Sequence, residues 1–164
     1  LAPHLPERPV VLDWGGGSGS NTPFLQQSNA LYVHDISSVE LMPGVERISA
    51  SQLAAGCYDL VVCSQVLEHV PFPLALIKQI LPALDEQTLV YLEVPYEALV
   101  REHPGSLGLA ALKRHWHEHI NFFTPQALHC LLESAELVLV DSHLLTVELG
   151  WRQSQVIGVL ARRA

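Results

Sequence analysis

The sequence predicts a single α/β domain built on a largely parallel sheet, and three observations support this fold class. Short apolar and β-branched runs alternate with helix-length stretches along the chain. Residues 60–63 are continuously apolar, as expected of a central strand buried on both faces. A glycine-rich turn at residues 15–19 directly follows the first apolar run. In open α/β sheets such a turn lies at the carboxyl edge, where ligands bind.

Seven segments have the pattern of strands, and helix signals lie between them. The predicted strands are residues 9–13, 30–34, 45–48, 58–63, 88–94, 137–147 and 154–161. A helix is predicted at residues 73–81, with a proline at its start, where the missing N–H costs nothing. Another helix should follow Thr124 as N-cap and Pro125 as first helical residue. A further helix is expected to begin near residues 21–23, after the glycine-rich turn.

Composition limits the class of protein. The chain has 164 residues, of which 49% are hydrophobic, so it can bury a core. We predict one domain over residues 1–164, with an insertion at about 95–123 where no clear period is found. The formal net charge is -8 and basic residues cluster only in pairs, which argues against nucleic acid as a partner. No apolar stretch is long enough for a membrane span.

The cysteines indicate the compartment. Cys57, Cys63 and Cys130 are an odd number with no CxxC spacing, which favours a reducing cytoplasm over a disulfide framework. The chain begins at Leu1 rather than methionine, which suggests a processed or excised fragment. The sequence leaves a homo-oligomer open.

The glycine-rich turn gives the strongest local signal. Asp13 ends the first predicted strand, and Gly15, Gly17 and Gly19 follow at alternate positions. Glycine lets the backbone adopt positive φ and approach a ligand closely. The GxGxxG dinucleotide fingerprint would need a further glycine where the chain has Ser20, whereas the GxGxG form is complete. A tight strand-to-helix turn without a ligand is the alternative interpretation.

An acidic residue follows at the spacing that nucleotide sites use. The second predicted strand ends in His34-Asp35, about 20 residues after the first glycine. A carboxylate at this place can accept hydrogen bonds from both ribose hydroxyls. The alternative is that Asp35 caps a helix, a role for which Ser37 competes.

These motifs resemble those of the class I methyltransferases that depend on S-adenosylmethionine (SAM), of the type 11, 12 and 23 groups. The resemblance rests on residues 11–19, 33–37 and 58–70, in that order, and extends over essentially the whole chain. It implies SAM as the cofactor. It also implies a Rossmann-like fold with seven strands in the order 3-2-1-4-5-7-6, strand 7 antiparallel, and helices on both faces.

The same resemblance implies a set of cofactor-binding residues. They are Asp13, Gly15, Gly16, Gly17, Asp35, Ile36, Ala50, Ser64 and Gln65. The glycines would line the methionine and ribose parts, Asp35 would hold the ribose diol, and Ile36 would flank adenine. Ser64 and Gln65 would lie beside the methionine end. At residues 49–52 the chain lacks the aspartate that the family commonly has, so adenine recognition would rely on the backbone or a hydroxyl near Ala50.

A histidine-rich segment supplies the candidate catalytic residues. Residues 115–124 resemble a segment of the sugar C-methyltransferases in which a Tyr-His-Glu-His pattern provides a catalytic histidine, although Trp116 replaces the tyrosine. Imidazole exchanges protons near neutral pH, so we predict His119 as general base, Glu118 as its orienting group and His69 as a second histidine near the methyl group. The alternative is a polar loop that only packs against the sheet.

A metal site is the less favoured reading of this segment. His115, His117 and His119 alternate along the chain, but the zincin pattern HExxH fails because Asn121 stands where its second histidine is required. We therefore predict no metal. The predicted function is methyl transfer from SAM to oxygen or carbon of a small-molecule acceptor. The alternatives are a non-catalytic SAM-binding or interaction module of the same fold and, less favoured, a nicotinamide-dependent oxidoreductase.

Overall fold

A computed structural model describes residues 2–103, 119–148 and 153–164. Within these ranges seven strands form one sheet. They are β1 Val10–Trp14, β2 Ala30–His34, β3 Val45–Arg47, β4 Leu60–Ser64, β5 Leu89–Pro95, β6 Leu137–Glu148 and β7 Gln153–Arg163. The order across the sheet is β3-β2-β1-β4-β5-β7-β6, and β7 is antiparallel to both of its neighbours. The other four pairings are parallel, so the predicted topology is confirmed.

The two faces of the sheet are covered differently. The side chains on one face of the sheet pack against helices α1 (Pro73–Ile80) and α3 (Pro125–Ser134) and against the 3₁₀ segment Ala50–Ala55. The side chains on the other face contact the partly buried residues Leu5, Phe24, Leu25 and Leu41. In the described residues this second face is thus covered by irregular chain rather than by long helices.

The connection from β1 to β2 differs from the prediction. We expected a helix to begin near residues 21–23, but this prediction is wrong, because the connection consists of turns. Gly17 and Gly19 have φ of +57° and +81°, and Phe24 has φ of +63°. These left-handed residues interrupt the right-handed φ/ψ that an α-helix requires. The hydroxyl of Thr22 is also engaged by Asp13 instead of capping a helix.

The two helices predicted between strands are confirmed. Pro73 occupies the first turn of α1, and the Thr124 side chain accepts the backbone N–H of Ala127 at 3.1 Å as the N-cap of α3. A short helix that the sequence did not indicate, α2 (Ala98–Glu102), lies inside the predicted insertion. None of the helices in the described part of the chain is both long and apolar enough to cross a bilayer.

The Thr124 cap is testable by stability. Thr124→Ala should lower the free energy of unfolding by about 1 kcal/mol, since it leaves an N–H at the start of α3 without its acceptor. Urea denaturation should show a lower midpoint with an unchanged slope. Thr124→Ser keeps the oxygen and is the matched control. Equal losses in both variants would mean that the threonine methyl group, rather than the cap, stabilises the helix.

Candidate functional site

A cavity of about 1020 Å³ opens at the carboxyl edge of the central strands. It is large enough for a cofactor and a small acceptor together, since ligand pockets usually enclose about 300–1,000 Å³. Its walls come from the glycine-rich turn, the ends of β4 and β5, α2 and β7. The lining residues used below are Asp13, Gly15, Gly16, Ser64, Gln65, Tyr91, Glu93, Tyr96, Glu97, Arg101 and His119.

The glycine-rich turn adopts a conformation that side chains would hinder. Gly15 has φ of +80° and donates its N–H to the His34 carbonyl at 2.7 Å, which joins the turn to the end of β2. A Cβ on Gly15 would overlap the Val66 side chain. Gly17 is also left-handed, and nothing lies within 4 Å of the place where its Cβ would be. Gly17 therefore leaves open backbone that a ligand can approach.

Asp13 packs against the glycine-rich turn. Its side chain is buried, and its Oδ2 accepts a hydrogen bond from the Thr22 hydroxyl at 2.5 Å. A Cβ on Gly16 would overlap the Asp13 carboxylate, so the two residues are packed directly together. Burial raises the pKa of Asp13, and the hydrogen bond from Thr22 opposes that rise while the nearby Asp35 carboxylate adds to it.

Asp35 connects the turn to the segment after β2. Its Oδ2 accepts the Gly17 N–H at 2.8 Å and its Oδ1 accepts the Ser37 N–H at 2.6 Å. Desolvation by itself raises the pKa of Asp35, but hydrogen bonds from Ser37 and Gly17, with the charge of Arg47, together hold the pKa below its usual value. The carboxylate is therefore ionised at neutral pH.

The predicted cofactor residues fall into two groups. Asp13, Gly15, Gly16, Ser64 and Gln65 line the cavity together with the predicted base His119. The remaining predicted residues, Gly17, Asp35, Ile36 and Ala50, lie outside its lining. Of these, Ile36 is fully exposed, and Ala50, at the start of the Ala50–Ala55 segment, is exposed as well.

Glu93 is a site residue that the sequence did not indicate. It lies near the end of β5, where its Oε1 accepts the Ser64 hydroxyl at 2.9 Å and the Gln65 amide at 3.1 Å. Its Oε2 accepts the Tyr91 hydroxyl at 2.8 Å. Gln65 has φ of +57°, an uncommon conformation for a residue other than glycine, and its N–H donates to the Glu93 carbonyl at 2.9 Å. Glu93 therefore fixes the turn after β4.

His119 forms a close pair with Glu97. Its Nδ1 lies 2.7 Å from Oε1 of Glu97, the N-cap residue of α2. The His69 ring lies edge-on to the His119 ring, with 4.8 Å between centroids. Glu118, the predicted orienting group, lies outside the described residues. The carboxylate at hydrogen-bond distance from Nδ1 of His119 is thus that of Glu97.

The segment that bears His119 is fastened to the turn after β4. The N–H groups of Ile120 and Asn121 donate to the Glu68 carbonyl at 2.8 and 3.1 Å. The Asn121 side chain donates to the carbonyls of Leu67 and Val70. These bonds join two segments about 50 residues apart in sequence and explain why His69 and His119 meet.

Glu68 lies beneath the two histidines. Its side chain is only 1% exposed, and neither oxygen has a hydrogen-bond partner in the described part of the chain. Burial raises the pKa of Glu68, while the nearby His69 and His119 lower it. Glu68, His69 and His119 can each offer one ligand atom within 4.8 Å of the others. Two imidazoles and a carboxylate are a donor set that a transition metal could use, which the sequence did not predict.

Comparison with known proteins gives consistent similarities. Residues 1–142 match the model of a family described as a methyltransferase domain. The chain is 27% identical to a ubiquinone biosynthesis O-methyltransferase of Xanthomonas campestris pv. campestris (strain B100), over 80% of this chain and 63% of that protein. It therefore spans less than two thirds of that relative's length.

Solved structures share the fold. A protein of Bacillus halodurans C-125, crystallised as a candidate methyltransferase, has a TM-score of 0.73 at 14% identity, covering 97% of this chain and 94% of its own. The 1,6-didemethyltoxoflavin-N1-methyltransferase of Burkholderia thailandensis has a TM-score of 0.70 at 23% identity, covering 96% of this chain and 72% of its own. That structure holds its substrate and S-adenosylhomocysteine.

The buried Asp13 predicts a pH dependence of stability. Because its folded pKa is raised above the usual 3.8, the folded state binds the proton more tightly than the unfolded state. Its contribution to stability is thus present below pH 3.8 and is lost as pH rises through the folded pKa. Asp13→Asn keeps an acceptor for Thr22 and removes the charge. It should raise the free energy of unfolding at pH 7, with the gain disappearing at low pH.

Urea denaturation at a series of pH values measures this difference. Asp141→Asn, a change at an exposed aspartate of β6, is the control and should alter stability little. A loss of stability in Asp13→Asn that is equal at pH 3 and pH 7 would contradict the prediction.

Proposed function

The chain belongs to the methyltransferase-domain family, and from this premise we propose that it transfers the methyl group of SAM to an oxygen atom of a small-molecule acceptor. His119 acts as the general base. The observation that carries this proposal is the 2.7 Å contact between His119 and Glu97 on the wall of the cavity that the glycine-rich turn also lines. SAM supplies an electrophilic methyl group on a sulfonium.

The residues of the glycine-rich turn and of β2 fit this cofactor. The open backbone at Gly17 and the ionised Asp35 are adjacent, joined by a hydrogen bond. Each carboxylate oxygen has two lone pairs, and each Asp35 oxygen uses one of them for a backbone N–H. One lone pair per oxygen therefore remains for a ribose hydroxyl. The exposed Ile36 side chain next to Asp35 offers an apolar surface for adenine.

Ser64 and Gln65 would bound the methionine end, with Glu93 holding both in place. Strong negative charge beside the sulfonium would stabilise the ground state more than the transition state, because the sulfur loses its charge during transfer. Glu93 is already engaged by Ser64, Gln65 and Tyr91, which moderates its charge.

Glu97 determines how His119 can act. When Nδ1–H of the imidazole donates to the Glu97 carboxylate, Nε2 is left as the acceptor. An acceptor hydroxyl must lose its proton as its oxygen attacks the methyl group, and Nε2 can take that proton while Glu97 stabilises the resulting imidazolium. The name of the O-methyltransferase relatives supports oxygen as the methylated atom.

Cofactor binding tests the first half of the proposal. Asp35→Asn should raise the dissociation constant for S-adenosylhomocysteine by about ten- to a hundredfold, because it removes a charged acceptor of ribose hydrogen bonds. Isothermal titration calorimetry measures the change. Glu46→Gln, at an exposed acid on neighbouring β3, is the matched control and should bind normally. An unchanged affinity in Asp35→Asn would rule out the ribose assignment.

Turnover tests the role of His119 as general base. His119→Gln should reduce kcat by about 10²- to 10⁴-fold with unchanged affinity for S-adenosylhomocysteine, and Glu97→Gln should reduce kcat by a smaller factor. Release of S-adenosylhomocysteine in the presence of small hydroxylated compounds gives the rate. His129→Gln, on α3, is the matched control, since His129 does not line the cavity.

Two outcomes would overturn the role of His119. Full turnover in His119→Gln would exclude it as the base. Loss of wild-type activity with EDTA, restored by a divalent cation, would reassign His119 as a metal ligand with Glu68 and His69. Binding of S-adenosylhomocysteine without turnover of any acceptor would favour a non-catalytic module.

A further inference from the structure

We propose that the methyl acceptor is a hydroxylated organic acid whose anionic group, a carboxylate or a phosphate, is bound by Arg101. This inference rests on the proposed function, because it assigns the part of the same cavity that would hold the acceptor. It concerns the wall formed by α2, which Tyr96, Glu97 and Arg101 line.

The carboxylates of the cavity's described lining are already engaged within the protein. Asp13 accepts the Thr22 hydroxyl, and Glu97 is paired with His119. Glu93 accepts hydrogen bonds from Ser64, Gln65 and Tyr91. Each of these carboxylates therefore already has a hydrogen-bond or ion-pair partner within the protein.

Arg101 differs from these acids. In the described residues its guanidinium makes no hydrogen bond, and its nearest carboxylate is that of Glu102, at 3.9 Å on a side chain that is 64% exposed. A pair at this distance with an exposed glutamate contributes little. The guanidinium also lies over the Tyr96 ring, 5.9 Å from its centroid, which restricts where it can point. Arg101 itself is 34% exposed, so most of its side chain is covered.

The Arg101 guanidinium has the hydrogen-bond donors that a carboxylate or a phosphate needs. It presents parallel N–H groups that match both oxygens of a carboxylate or two oxygens of a phosphate. Glu93 and Glu97 repel an anion in the cavity, whereas Arg101 attracts it. These charges therefore orient the acceptor with its anionic group toward Arg101.

Helix geometry places Glu97 and Arg101 close together on the cavity wall. Glu97 and Arg101 are four residues apart, and the Arg101 N–H donates to the Glu97 carbonyl at 3.1 Å. Such residues lie on one face of a helix, with about 5–6 Å between their Cβ atoms. Glu97 contacts His119, so the side chains that would bind the hydroxyl and the anion lie on the same wall of the cavity. Rigid hydroxybenzoates carry both groups and are therefore suitable probes of this wall.

Calorimetry in the presence of saturating S-adenosylhomocysteine tests the proposal without requiring turnover. The probes are 3- and 4-hydroxybenzoate, the corresponding hydroxybenzamides and 4-hydroxyphenyl phosphate. At least one acid should bind about tenfold or more tightly than its amide, because a hydrogen-bonded charge adds that much affinity. Tighter binding by the benzoates identifies a carboxylate acceptor, and tighter binding by the phosphate ester a phosphorylated one.

Variants assign the effect to Arg101. Arg101→Gln should abolish the preference for the acid while leaving the affinity for the amide unchanged, and in turnover it should raise KM for the acid much more than it lowers kcat. Arg101→Lys keeps the charge without the paired donors and should retain part of the preference. Arg162→Gln, at an exposed arginine on β7, is the matched control and should behave as wild type. A purely structural role would weaken acid and amide equally.

The failure of this inference can be separated from that of the proposed function. If S-adenosylhomocysteine does not bind, the proposed function fails. The inference about the acceptor is overturned alone if S-adenosylhomocysteine binds but no benzoate binds more tightly than its amide and 4-hydroxyphenyl phosphate binds no more tightly than the amides. It is also overturned if Arg101→Gln keeps the preference.

Discussion

The site depends on one constraint, namely that the parallel strands β1, β4 and β5 end at the same edge of the sheet. Their register is direct, with Leu12 beside Val61 and Val61 beside Val90. Parallel neighbours bring the residues after each strand together without any need for those residues to be close in sequence. The glycine-rich turn, the turn after β4 and Glu93 meet for this reason, and the cavity opens above them.

Hydrogen bonds made by polar side chains then convert this edge into a defined site. Asp35 links the glycine-rich turn to the chain after β2, and Glu93 holds the turn after β4. Asn121 fastens the segment of His119 over that turn. Asp35 and Asn121 satisfy backbone groups that irregular chain would otherwise leave without partners. Glu93 instead accepts hydrogen bonds from the side chains of Ser64 and Gln65. The chemistry proposed for His119 requires all three connections, since they determine its distance from the cofactor-binding turn.

The sequence predicted the fold more completely than the site. The strand positions followed from periodicity, and the starts of α1 and α3 followed from Pro73 and Thr124. The strand order and the antiparallel β7 were implied by the resemblance of three motifs. The class I SAM-dependent methyltransferase family and its cofactor, which the same motifs indicated, are confirmed. The helix expected near residues 21–23 was wrong, because proline and an N-capping residue signal a helix only where the following residues can remain right-handed. Phe24 does not.

The sequence by itself determined the sheet, the glycine-rich turn and the position of Asp35, because each depends on residues adjacent or regularly spaced along the chain. Only the tertiary structure decided which carboxylate accompanies His119 and which holds Ser64. Glu97 is 22 residues from His119, and Glu93 is 29 from Ser64. Contacts over such separations are set by how irregular segments pack on the sheet edge, and no periodic pattern in the sequence records that packing.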